Sequence, residues 1–137
     1  MEKMTKYIGT KIVLATPMTK QEYCNYRGWD VPEDEDPSEI VYLVEYEADP
    51  LSKINHPDHK GYITMSPKHV FDKAYKVCET YVDRLQIEKD DLELKITKLH
   101  KALIDKAVPT KSIDVLVHQL DVMQTYLHIL EGRLQFN

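Results

Sequence analysis

The chain has 137 residues, 18 Lys and Arg against 23 Asp and Glu, and a formal net charge of −5. That length predicts one domain or two very small ones, and the acidic balance excludes a general nucleic-acid coat, so no DNA partner is expected. It leaves room for a small anionic ligand in a locally basic pocket. The longest apolar run, Ile40–Val44, is five residues, far short of the roughly 20 that cross a bilayer, and the start has no apolar stretch behind its lysines. No membrane partner is expected. Two cysteines in unlike contexts, Cys24 and Cys78, give no disulfide framework and fit a reducing cytoplasm.

The pattern changes character near residue 66. Before it stand three of the four glycines, most prolines and alternating apolar residues; after it comes strong helical periodicity. The reading is an α+β chain: a small antiparallel sheet unit with short helices over 1–77, then a long antiparallel helical hairpin over 78–137.

Lys6 to Thr16 reads as a first strand ended by Pro17. Thr19 with Glu22 three residues later is a capping-box signature for a short helix that Gly28 stops. Ile40 to Tyr46 is a second strand, rich in β-branched and aromatic residues, and Gly61 to Met65 a third that pairs with it. Nine acidic residues and no Lys or Arg lie between Asp30 and Asp49, and the segment Glu33–Glu39 reads as a solvated loop without a ligand role.

Ser66 before Pro67 reads as an N-cap and first helical position, opening a helix from Pro67 to about Ala107 that allows a kink. Leu85, Leu92, Ile96, Leu99 and Leu103 follow heptad spacing, interrupted by Lys89. After Pro109, Ser112 is expected to cap a second helix, in which Ile113, Leu116, Leu120, Met123, Leu127, Leu130 and Leu134 alternate spacings of three and four. Val115, Val117, Val122, Tyr126 and Ile129 fall outside that seam. Apolar residues on more than one face imply a further partner, the sheet unit or a second copy of the chain.

No nucleophile–base signature and no phosphate-cradling glycine loop is present, so no catalytic residue and no cofactor is assigned. His56-Pro57-Asp58-His59, with His69 nearby, lacks the helical spacing of a zinc site, and no metal ligand is assigned. Paired carboxylates such as Asp90-Asp91 read as a solvated helix face. Aromatic residues beside basic ones carry more information, because a nucleobase needs a flat apolar face and a phosphate needs a fixed cation. Arg27 stands next to Trp29, the only tryptophan. Tyr81 and Arg84 are one helical turn apart, as are Lys95 and Lys98, and Tyr126 and Arg133 are two turns apart. Read together, these eight are the candidate ligand-binding residues, expected to gather at the open end of the hairpin. Taken alone, Trp29 reads first as the core anchor of a small sheet domain.

Several strings resemble a known family. Lys6-Tyr-Ile-Gly-Thr-Lys-Ile-Val, Pro17-Met-Thr, Tyr26-Arg-Gly-Trp, Tyr42-Leu-Val-Glu-Tyr and Gly61-Tyr-Ile-Thr-Met-Ser-Pro-Lys-His are similar to the phage Thoeris anti-defence sponges. So are Leu94-Lys-Ile-Thr-Lys-Leu and Gln119 to Leu130 of the helical half, whose hairpin also resembles that of anti-CBASS cyclic-oligonucleotide sponges. The family commonly has an aromatic where this chain has Met65. The resemblance implies a non-enzymatic trap for a cyclic ADP-ribose-type signal, glycocyclic ADP-ribose, acting in the host bacterial cytoplasm. It also implies a homo-oligomer, expected as a hexamer, and cyclic di- or trinucleotides as further ligands. Two other classes stay open: an oligomerisation module without a nucleotide, and a hydrolase working through His56, Asp58 and His59.

Overall fold

The computed structural model describes residues 1–136. It divides into two compact units, Met1–Tyr75 and Lys76–Asn137. The first is a three-stranded antiparallel sheet with two short helices, the second a pair of long helices, and the chain is α+β.

In the first unit, β1 (Val13–Thr19), β2 (Ile40–Tyr46) and β3 (Ile63–Pro67) lie in the order β1-β2-β3. The register runs from Val13 opposite Tyr46 to Thr19 opposite Ile40. β1 therefore begins where β2 runs out of partners, and residues 6–12 fall outside the strand expected from Lys6. Nor does Pro17 end it. Pro17 sits opposite Tyr42 on an edge strand, where a missing N–H can face away from the ladder.

α1 (Lys20–Arg27) follows directly. Thr19 and Glu22 form the expected capping box, and Gly28 closes the helix at φ 73°, a left-handed conformation that glycine adopts without steric cost. The helix lays Tyr23 onto Val41, Leu43 and Ile63, with Met18 and Met65 packed around them. Met65 is thus a core neighbour. On the opposite face of β2, Tyr42 stacks on Phe71 of α2 (Lys68–Ala74) at 4.1 Å between ring centroids.

The loop before β3 is pinned by its side chains. Asn55 pairs with both backbone groups of Ile63, each bond 2.8 Å long, as a residue of a neighbouring strand would. Gly61 is required where it stands, because a Cβ there would run into the carbonyl oxygen of Tyr46.

The helix expected from Pro67 to Ala107 is two helices. Pro67 is still paired in β3 and has extended backbone, so Ser66 cannot cap α2, and Pro67 occupies the cap position itself. α2 ends at Ala74 with Tyr75 extended. α3 (Tyr81–Ile104) starts afresh behind a second capping box, Thr80 with Asp83, a signal that three-residue spacing could have revealed. Ser112 also makes no side-chain cap: it already has helical backbone in a 3-10 turn, Thr110–Ser112, ahead of α4 (Ile113–Gln135).

α3 and α4 pack antiparallel, the head of one beside the tail of the other, around buried Leu85, Leu92 and Leu130. Ile96, Met123, Leu127 and Leu134 complete this seam, as the heptad spacing predicts. No helix among the described residues is long and apolar enough to cross a membrane.

Candidate functional site

At the open end of the hairpin, Tyr81 occupies the first position of α3 and Arg133 the last turn of α4. The Arg133 Nε and Nη2 both donate to the Tyr81 hydroxyl, the former at 3.1 Å, and the guanidinium carbon lies 5.4 Å from that ring's centroid. Seven residues further down α3 and seven further up α4, the Tyr126 hydroxyl donates to the Glu88 carboxylate. The antiparallel register makes these two rungs, about 10.5 Å apart along the axis. Tyr81 is 45% exposed and Tyr126 37%, so both rings keep one side toward solvent.

Charge is balanced across the rungs. The hydrogen bond to Tyr81 holds Arg133 above its ordinary value, and the bond to Glu88 raises the Tyr126 phenol. Glu88 also acts electrostatically on Arg133. An incoming anion would find a planar cation held by one phenol, with a second phenol and one carboxylate on the next rung.

Of the eight residues picked from the sequence, Tyr81, Tyr126 and Arg133 come together here. Arg84 lies one turn along α3 on an exposed position. Lys95 and Lys98 do not join them: at 1.5 Å rise per residue they stand about 21 and 25 Å from Tyr81 along the helix. Lys95 pairs with Asp91 at 2.9 Å in an exposed i, i+4 bridge. Glu88 was invisible as a member of the cluster, since only the inter-helix register brings it to Tyr126.

Arg27 and Trp29 belong to the other unit. The Arg27 guanidinium lies 4.3 Å from the Trp29 ring centroid and its Nη1 donates to Tyr23 at 2.9 Å. Tyr23 and Trp29 meet edge to face at 6.1 Å. Trp29 is 52% exposed, so it covers the edge of the core rather than anchoring it.

Two features escaped the sequence. Lys20 is buried and held by Glu35 at 2.7 Å and Glu39 at 2.6 Å. These two carboxylates raise its ammonium well above the ordinary lysine value. The segment Glu33–Glu39 is therefore fastened to α1 and is not the wholly solvated loop that its composition indicated. The second feature is a groove of about 610 Å³ along the sheet unit, lined among others by Lys11, Lys53, Tyr46 and Tyr62. Lys11 sits over the Tyr46 ring at 4.4 Å. Among the described residues, no group of three or more His, Cys, Asp or Glu is placed to hold a metal ion.

No curated protein and no solved structure matches this chain. A family model described as Sequestin matches residues 79–136, which begins just ahead of α3 and runs past the end of α4. The matched stretch is the unit that holds the Tyr81–Arg133 and Tyr126–Glu88 rungs, and that unit is similar to the Sequestin family, the phage Thoeris anti-defence sponges that the sequence resembles.

Proposed function

We propose that the protein is a phage anti-defence sponge that binds a cyclic ADP-ribose-type signal, glycocyclic ADP-ribose, and withholds it intact from the Thoeris effector in the host bacterial cytoplasm. The observation that carries this reading is the coincidence of the Sequestin match with the stretch of hairpin whose successive rungs are Tyr81–Arg133 and Tyr126–Glu88. A sponge needs tight, slow-releasing binding and no bond-breaking machinery. Phenol faces suit adenine, and Arg133 suits the pyrophosphate. The likeness of the hairpin to anti-CBASS sponges extends the proposal to cyclic di- or trinucleotides.

The same reading includes a homo-oligomer, expected as a hexamer. Val115, Val122 and Ile129 recur every seven residues on α4 and are each more than half exposed. Such a stripe is a second seam, separate from the one that closes the hairpin.

Titration of cyclic ADP-ribose-type signal into the purified chain tests the site. Arg133→Ala should weaken retention ten- to a hundredfold, as expected for loss of a charge-assisted phosphate contact. Glu88→Gln should hold or strengthen it, since the opposing carboxylate is removed. Full affinity in the Arg133 variant would move the ligand elsewhere, with Arg27 and the Lys11–Lys53 groove the next sites to probe.

A further inference from the structure

A second polar cluster, in the sheet unit, lies outside the hairpin site. Tyr26 on α1, His56 and His59 in the loop before β3, and Glu45 on β2 meet on the α1 side of the sheet. The Tyr26 hydroxyl is 2.7 Å from His59 Nε2, and His59 Nδ1 contacts the Glu45 carboxylate. An ionised carboxylate can only accept, so Nδ1 carries a proton, and in the neutral ring Nε2 accepts from the phenol. The other Glu45 oxygen accepts from the Gly61 N–H at 3.3 Å, which fixes the carboxylate in turn.

The phenol is aimed as well as bonded. Its ring stacks on His56 at 4.4 Å and 13°, and His56 is itself oriented by the Asp58 N–H, which donates to its Nδ1 at 3.1 Å. Side chains of His59 and Glu45 are 17% and 18% exposed, whereas Tyr26 is 39% exposed. A partly exposed phenol is therefore backed by a mostly buried imidazole, and the imidazole by a carboxylate. This is the ordering by which an unreactive hydroxyl becomes a nucleophile.

We propose that Tyr26 is a primed phenol that takes up activated phosphoryl groups, with His59 as its base and Glu45 as the positioning residue. The phenol oxygen attacks the phosphorus, an O–P bond forms, and the bond to the leaving group breaks as that group departs with its electron pair. The phenolic proton passes to His59 Nε2, and Glu45 stabilises the imidazolium. The product is a tyrosyl phosphoester on the protein, one modification per chain and not turnover. The proposal stands apart from ligand sequestration by the hairpin.

A fluorophosphonate probe tests it, with fluoride as the leaving group and labelled sites read by peptide mass spectrometry. Tyr7 at 88% exposure, and Tyr62 and Tyr81 at 45% each, are internal controls. If exposure alone sets reactivity, Tyr7 labels fastest; the relay predicts Tyr26 at least tenfold ahead of all three. His59→Gln should bring Tyr26 down to the control rate. Glu45→Gln should slow Tyr26 labelling severalfold and Glu45→Asp restore part of it, with the three control tyrosines unchanged, which a merely structural carboxylate would not do. Should the His59 variant fail to fold, the Glu45 pair decides. Equal labelling of Tyr26 and Tyr7 in the wild type, or a Tyr26 rate that Glu45→Gln leaves unchanged, overturns the proposal.

Discussion

The two units reach stability by different routes. The sheet unit closes on itself: Tyr23, Val41, Leu43 and Ile63 are buried, and polar side chains such as Asn55, Lys20 and His59 bind the loops to the elements beneath them. Among its described residues the hairpin buries Leu85, Leu92 and Leu130, and it leaves Val115, Val117, Val122 and Ile129 at least half exposed. A two-helix seam is one layer thick, and one layer cannot cover apolar residues on both sides of a helix. The sheet unit ties its loops down with polar side chains, whereas α4 keeps a row of bare valines that the proposed homo-oligomer would cover.

The largest break is Leu130→Ala. Leu130 is fully buried in the hairpin seam, so the truncation should cost about 2–5 kcal/mol, read by chemical denaturation. The sheet unit's melting should be untouched. Met123 belongs to the same seam, so Met123→Glu would break the hairpin itself and is no clean probe of assembly.

Next comes the pair Glu35→Gln with Glu39→Gln, which strips Lys20 of both carboxylates. Melting of the sheet unit should fall by about 4–8 °C. The sign with pH follows from the raised lysine: its contribution is complete below the ordinary value of 10.5 and fades only as pH rises through the higher folded value. Wild type and double variant should therefore differ by a constant gap across neutral pH and converge only in strong alkali.

The smallest effect on folding should come from Ile129→Glu, within about 0.5 kcal/mol, because the residue is exposed. Its effect on mass should be large. Light scattering should show a homo-oligomer for wild type and a 16.0 kDa monomer for the variant. A wild-type monomer at micromolar concentration would leave those valines unexplained.

Local signals carried the fold well. The Thr19–Glu22 box, the Gly28 stop, the β2 span and the α4 seam are all written within a few residues of one another. What spans a break in regular structure was harder to see. The Pro67–Ala107 periodicity hid the extended stretch at Tyr75, because β3 holds Pro67 in its ladder and Thr80 opens a new helix. Composition misjudged Glu35 and Glu39, since the cation they hold lies in α1 and not in their own segment. The Tyr26–His59 bond joins residues 33 apart, and no spacing rule reaches that far. Of the site, Tyr81 and Arg133 were legible as aromatic and basic residues at matching hairpin ends, whereas Lys95 and Lys98 were grouped with them only by type.

The proposed function has the hairpin unit store a nucleotide signal without consuming it. Native mass spectrometry after incubation with lysate of Thoeris-active cells tests this most directly, because it reports subunit number and retained mass together. The expected result is an oligomer carrying a cyclic ADP-ribose-type nucleotide that is recovered chemically intact on heat denaturation and still activates the effector. Recovery of a linear or hydrolysed nucleotide, or an assembled protein that retains none, would contradict it.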